Sequence, residues 1–382
     1  DDSRRVVRTV WPDMRGGKDE WSETTRDFLG RVAVVSYPDG THSTTSYDDF
    51  GRVVRETSPA GRVTLHAYSH PVYGDITAVD MDGDGRIGFN GPDTVNASRA
   101  FCAQVEGRPV RRVEVWRFED TTGTPRLVSR TDTAIDGRFI VETSDGVVTR
   151  DEVLFKGVSR VLRKVTSRDG AVAEQEWISG RLRRASSELG GVSEFFYDGF
   201  SRLYRTVTQQ NGVRRSTLTE YDADGNAVAE TVSSGGEGRT LRRTLDADGN
   251  VVREEGADGI VIRFEYDLRG NLVLEHGDTY MVAYAYDHRG RGISMTTWRN
   301  AGEEGDTTQW NYDSRGRMVR KTYADGTHID YAYDADGNVT SRTSARGVVR
   351  IYAYDMGGRP VSVSYTDGTP STACIYDRAG RM

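Results

Sequence analysis

Hydrophobic and polar residues alternate with a period of two in short runs along most of the chain. In Ile329-Asp330-Tyr331-Ala332-Tyr333, one face carries Ile329, Tyr331 and Tyr333, while Asp330 and Ala332 point the other way. Val282, Tyr284 and Tyr286 repeat the pattern, as do Ile262, Phe264 and Tyr266. Side chains of a strand point alternately to its two faces, so these runs predict half-buried β-strands of about 7 to 8 residues. No amphipathic helix of useful length is predicted anywhere.

The runs are separated by two alternating kinds of turn. One is the string Y-D-x-x-G-[R/N], which begins at Tyr47, Tyr197, Tyr221, Tyr266, Tyr286, Tyr312, Tyr333, Tyr354 and Tyr376. Leu245-Asp246-Ala247-Asp248-Gly249-Asn250 is a variant, and Asp27-Phe28-Leu29-Gly30-Arg31 an eroded copy. The other turn is marked by Asp39-Gly40, Asp258-Gly259, Asp325-Gly326 and Arg346-Gly347, each glycine seven residues before the next motif tyrosine. From Tyr197 onward the motif recurs every 20 to 26 residues or so, the period of a short supersecondary unit. That unit is a β-hairpin, and consecutive hairpins should join into one antiparallel ribbon.

The motif residues suit a turn. Tyrosine offers a rigid aromatic body with a hydroxyl that can find a partner. The following aspartate can accept hydrogen bonds from the turn's N–H groups, and the glycine supplies a left-handed residue. Arginine or asparagine then resumes the strand. The role is structural rather than catalytic.

These copies resemble those of the Rhs and YD-repeat family, which includes bacterial Rhs toxins, the B and C components of Tc toxins, and animal teneurins. Clear copies cover about half the chain, from Tyr197 to the end, together with the stretch around residues 27–62. The resemblance implies an all-β fold: a repetitive antiparallel hairpin ribbon spiralling into a hollow YD/Rhs shell, of which this chain is part. In the bacterial members the shell houses a C-terminal toxin; in teneurins it belongs to an extracellular adhesion receptor. Geometry points the same way, because a sheet of roughly 30 strands at ~4.8 Å each would exceed 100 Å and could not stay flat.

Composition narrows the function. Hydrophobic residues make up 36% and charged ones 29%, which suits sheets wet on at least one face. Glycine (43) far outnumbers proline (9), so the turns rely on positive φ angles. A net charge of −7 argues against nucleic-acid or anionic-membrane binding. No apolar run reaches the ~20 residues of a membrane span. The chain opens without an initiator methionine and stops inside a motif, so it is expected to be a segment of a longer protein. Cys102 and Cys374 have no metal or disulfide-framework spacing and read as two small buried thiols, with a disulfide as the alternative.

Four segments follow: repeats over 1–69, an insertion over 70–100, degenerate repeats over 101–190, and regular repeats over 191–382. In the degenerate part, weaker turn marks persist at Asp136-Gly137, Ser144-Asp145-Gly146 and Ser179-Gly180, with alternation in Val113–Phe118. The insertion carries Asp80-Met81-Asp82-Gly83-Asp84-Gly85-Arg86-Ile87, the front half of an EF-hand-type calcium loop. Asp80, Asp82 and Asp84 would supply oxygen at positions 1, 3 and 5, Gly85 the sharp turn, and Arg86 its carbonyl. Position 12 is Gly91, where a bidentate acid is expected, and Asp93 stands in as its substitute. A structural Ca²⁺ at Asp80, Asp82, Asp84, Arg86 and Asp93 is the expectation, set against an acidic, solvated turn. The DADGN strings starting at Asp222, Asp246 and Asp334 lack the rest of the loop, and turn chemistry explains them.

No catalytic constellation is present: there is no G-x-S-x-G, no Walker motif and no Gly-rich phosphate loop. His66 and His70 have a spacing seen in metal pairs, but nothing nearby completes a site. The reading is a non-catalytic scaffold, a shell segment that encapsulates a C-terminal effector domain of a large exported bacterial polypeptide. Its partners would be that effector and the adjoining repeats, at a secreted or cell-surface location. The rival reading is an extracellular adhesion module whose outer face binds a glycan or a surface protein.

Overall fold

The computed structural model describes residues 6–11, 20–120, 122–157, 159–167, 170–188, 190–300 and 302–382. Residues 1–5 and 12–19 of the first segment lie outside that set. Every regular element among the described residues is a β-strand, thirty-two in all, from Val6–Trp11 to Thr372–Ala373. The alternating runs become the strands Val261–Tyr266, Met281–Tyr286 and His328–Tyr333. Each strand pairs antiparallel with the next in sequence, so the chain forms one continuous sheet. It is thin. Its accessible surface is 23394 Å², against about 15,000 Å² for a compact globule of this length.

The motif builds one edge of this ribbon, here called the YD edge. In the copy at Tyr47, the Asp48 N–H donates to the Arg52 carbonyl at 2.9 Å and the Gly51 N–H donates back to the Asp48 carbonyl at 3.0 Å. The Asp48 carboxylate accepts the N–H groups of Phe50 and Arg52 on one oxygen and Arg52 Nε on the other. Where the sixth residue is asparagine its side-chain amide takes the same place, as Asn250 does on Asp246 at 3.1 Å. That shared donor geometry accounts for the alternation of arginine and asparagine at this position.

Successive motifs are locked together. The tyrosine hydroxyl donates to the carbonyl of the residue that follows the preceding motif: Tyr47 to Val32, Tyr333 to Met318, Tyr354 to Val339 and Tyr376 to Pro360, all at 2.7–2.9 Å. The arginine of the preceding motif lies over the same ring, Arg31 at 4.3 Å from the centre of Tyr47 and Arg291 at 4.6 Å from that of Tyr312. Beside the turns of Tyr47, Tyr312, Tyr333 and Tyr354 the register shifts, so that two residues oppose one tyrosine: Val53 and Val54 face Tyr47, and Val339 and Thr340 face Tyr333. In the regular repeats the opposite edge, formed by the Asp-Gly turns, carries no such bulge. A bulge bends its strand and adds twist, so bulges along one edge make the ribbon coil.

The coil closes on itself. Asp-Gly-edge turns of the N-terminal part meet YD-edge turns of the C-terminal part, with partners 258 to 295 residues apart. Glu20 takes salt bridges from Arg289 and Arg291, while Arg289 also lies over Trp11 at 4.4 Å. Arg315 reaches Asp39 at 3.3 Å and lies over Tyr37 at 4.3 Å. Asp336 accepts from Ser58 Oγ and from the Ala60 N–H, both at 2.8 Å, and the Arg62 guanidinium donates to the Gly357 carbonyl.

Fully buried apolar side chains concentrate in the less regular part of the ribbon. Ile76, Ala78, Val95, Ala97 and Phe118 form one cluster, flanked by Tyr73, Ile87 and Phe89. Val110, Ala134 and Phe139 form a second. The strands here are also the longest, Thr94–Val105 reaching 12 residues. The first cluster underlies the acidic loop.

Candidate metal centre at the seam between windings

The strand Gly74–Asp80 buries every second residue, Ile76, Ala78 and then Asp80. The alternation that sends two apolar side chains into the cluster thus sends a carboxylate after them. The chain turns away through residues 81–92 and returns at Asp93, immediately before the strand Thr94–Val105. Asp80 and Asp93 are 2% and 1% exposed, which demands partners for both.

Backbone N–H groups of the loop provide them. The Asp80 carboxylate accepts from Gly83 at 2.7 Å and from Gly85 at 3.0 Å. The Asp93 carboxylate accepts from Met81 and Gly88, each at 2.8 Å. Each of the four oxygens therefore holds one N–H and keeps lone-pair capacity. The exposed Asp82 joins them, and one carboxylate oxygen from each of Asp80, Asp82 and Asp93 lies within 4.8 Å of the others. Such a group of hard oxygen donors could hold a metal ion.

The loop places the expected residues as follows. Asp80, Asp82 and Asp93 come together, whereas Asp84 stands outside the group and its carboxylate accepts the Arg86 N–H at 2.7 Å. Arg86 is exposed. Gly91, at position 12, lies alongside Asp82: a Cβ built there would sit 3.8 Å from the Asp82 carboxylate.

Arg378 is the participant that the sequence did not single out. It belongs to the last motif, and its guanidinium donates to four carbonyls: Asp93 and Phe89 at 2.6 Å, Gly88 and Asp120 at 2.5 Å. Burial outweighs the attraction of Asp93 and Asp120 and draws its pKa down from the usual arginine value. The loop is therefore an enlarged Asp-Gly-edge turn, docked on the YD edge like its neighbours Asp39 and Ser58. The visible signal was its neighbourhood of acids. The partner's identity depended on a separation of nearly 300 residues.

The other titratable candidates have local partners. His66 lies 3.2 Å from Glu56 and 3.3 Å from Thr77 Oγ1, while His70 accepts two N–H groups on Nδ1 and stacks on Tyr73. Cys102 and Cys374 are free thiols, but not the buried ones expected: Cys102 is exposed and Cys374 half-buried, as a one-layer sheet leaves most side chains in reach of solvent. Among the described residues, no helix is long and apolar enough to cross a membrane.

Comparison with known proteins places this architecture. The model of the RHS repeat matches residues 29–63. The probable deoxyribonuclease RhsB of Dickeya dadantii (strain 3937) is 28% identical over 258 residues, 61% of this chain. The chain spans only 17% of that relative's length. A mutant Tc holotoxin pore from Photorhabdus luminescens aligns over 95% of this chain and 24% of its own, at 14% identity and a TM-score of 0.45. The TcdB2–TccC3 structure without its hypervariable C-terminal region aligns over 98% and 27%, at 13% identity and a TM-score of 0.43. The model of the teneurin YD-shell matches residues 184–382, more than half of the chain. With its motif turns, single sheet and matching family model, the chain belongs to the YD-shell family of Rhs/YD-repeat proteins.

Proposed function

We propose that this chain is a non-catalytic wall segment of a shell that encloses a C-terminal effector domain of the same large, exported bacterial polypeptide. The observation that carries this reading is the edge-to-edge closure of the ribbon. Glu20 opens the second strand, and its partners Arg289 and Arg291 lie in the turn after the twenty-fourth, so 23 strands make one circuit. At ~4.8 Å per strand the circuit measures roughly 110 Å, a ring roughly 35 Å across. A one-layer wall of that diameter leaves an interior for polypeptide. The motif tyrosines and arginines are spent on each other within the wall, which favours a structural role over ligand recognition. An effector of the kind that the Dickeya relative's name denotes, a nuclease, would lie outside the residues matched here. Secretion or cell-surface display would follow from that export.

Within the wall, Asp80, Asp82 and Asp93 would hold a structural Ca²⁺, with Asp84 and the Arg86 carbonyl as the further donors that the loop pattern offers. Such an ion would neutralise crowded carboxylates and stiffen a docking turn.

Electron cryo-microscopy of the full-length parent protein with calcium present tests the proposal. A closed shell with density for a sequestered C-terminal domain is the expected result. An interior filled by the wall's own side chains, with no enclosed domain, would overturn it and leave surface adhesion as the better account.

A further inference from the structure

The two windings meet through a different kind of contact from the one that joins neighbouring strands. Along the ribbon, every strand is held to the next by a backbone ladder. Across the seam, no backbone-to-backbone hydrogen bond is made among the described residues. The turns meet through side chains, and most of these are charged. Glu20, Asp39 and Glu119 of the first winding face Arg289, Arg315 and Arg381 of the second. Among the described residues, the turn of Ser58, Ala60 and Arg62 inverts the sign, facing Asp336.

We propose that this seam is a polar joint that opens reversibly with ionic strength while the ribbon on both sides keeps its strand ladder. The fourth residue of the YD motif sets its register. That residue is Arg289, Arg315 and Asp336 in three successive docked motifs. The first winding offers Glu20, Asp39 and Arg62 in the matching order. A slip by one hairpin would put Asp336 against Asp39, or Arg315 against Arg62. Like charges would then meet at the inverted position, and the docked register is the one that avoids this. Salt acts on such a joint more than on a ladder, because at 1 M the screening length falls to about 3 Å. The joint is a property of this chain and holds whether or not the wall encloses a cargo.

The Ala60 amide is a built-in reporter. It donates to the Asp336 carboxylate across the seam, and it sits in a turn between the strands Val53–Thr57 and Val63–His70, whose paired amides report the ladder. Amide hydrogen exchange on the full chain should show Ala60 exchanging at least tenfold faster in 1 M than in 0.05 M sodium chloride, with the ladder amides unchanged. At low salt, Arg315→Glu should release Ala60 similarly; because Arg315 also donates to the Ala335 carbonyl in the Asp336 turn, the deciding variant is the swap Asp39→Arg with Arg315→Glu, which restores the cross-seam pair alone and should restore protection. If Ala60 stays protected in high salt, or if the ladder amides accelerate with it, the seam is not a separate joint and the proposal fails. The salt titration uses the unaltered chain, so it decides the matter even if a variant misfolds.

Discussion

Two glycines of neighbouring hairpins separate backbone strain from steric collision. Gly270 closes the motif turn at φ +79°, and a Cβ built there meets nothing within 4 Å. Gly277 ends the strand Leu272–Gly277 at φ +118°, and a Cβ there runs into the Val261 carbonyl oxygen. That oxygen is the acceptor of the Asp278 N–H at 2.8 Å. Gly270→Ala should therefore cost only the left-handed penalty, about 1–2 kcal/mol. Gly277→Ala adds the displacement of a bonded carbonyl, worth about 1 kcal/mol, to a strain of about 1–3 kcal/mol, so about 2–4 kcal/mol in all. Gly270→Asn should recover part of the smaller loss, because asparagine enters this region more readily than alanine. Repeat arrays lose structure unit by unit, so the assay is urea denaturation read locally by amide exchange in the strands Val261–Tyr266 and Leu272–Gly277. If Gly270→Ala proves as damaging as Gly277→Ala, conformation and collision have been misassigned.

Three further outcomes follow from the motif and the acidic loop. Tyr333→Phe removes the hydroxyl that binds the Met318 carbonyl and should cost about 0.5–1.5 kcal/mol. Tyr333→Leu should cost more, since it also removes the ring beneath Arg317; both are read from urea midpoints. The side-chain amides of Asn250 and Asn271, followed by turn N–H groups, hold the Asp246 and Asp267 carboxyls below their ordinary pKa. Their stabilisation is thus present above the unfolded value near 4 and lost as pH falls through the lower folded value. Urea midpoints between pH 7 and 3 should drop accordingly, and less steeply in the Asp246→Asn, Asp267→Asn double variant. On the calcium reading, millimolar Ca²⁺ should raise the thermal midpoint by several degrees, chelator should reverse the gain, and Asp80→Asn with Asp93→Asn should abolish it. A calorimetric titration with no heat of binding would remove the ion from the account.

The strands were legible because the pleat writes itself into the sequence as a period of two, and the turns because glycine follows aspartate at fixed offsets. What the motif arginine does was not legible. Arg31 and Arg291 each serve their own turn's aspartate and the next motif's tyrosine, and the second partner lies about one repeat away. The bulge opposite each tyrosine left no residue signature either, since Val53-Val54 reads like any strand start. At the acidic loop, Asp80 and Asp82 were visible from spacing. The pairing of Asp93 with Asp80, rather than Asp84, depends on the two adjacent strands bringing Val79 and Thr94 side by side, so that the next residue outward on each is an aspartate. Arg378 could be found only from the winding, whose length no local pattern encodes. The charges of Glu20, Asp39 and Arg62 against Arg289, Arg315 and Asp336 are the one trace of it in the sequence.

Pairing every strand with its immediate successor also bears on how such a wall is made. A chain whose strand ladders all reach back to the strand just before can solidify in the order in which it is synthesised or emerges from a pore, leaving only the side-chain seam to close afterwards. No early strand waits for a distant mate, so ordering each unit closes only a short loop and leaves little to misroute. The growing end is always a single open strand, the template on which the next hairpin is laid and, until it arrives, the place most exposed to a foreign strand. The tyrosine that reaches back to the previous motif works as a ratchet in this growth, fastening each addition before the next begins.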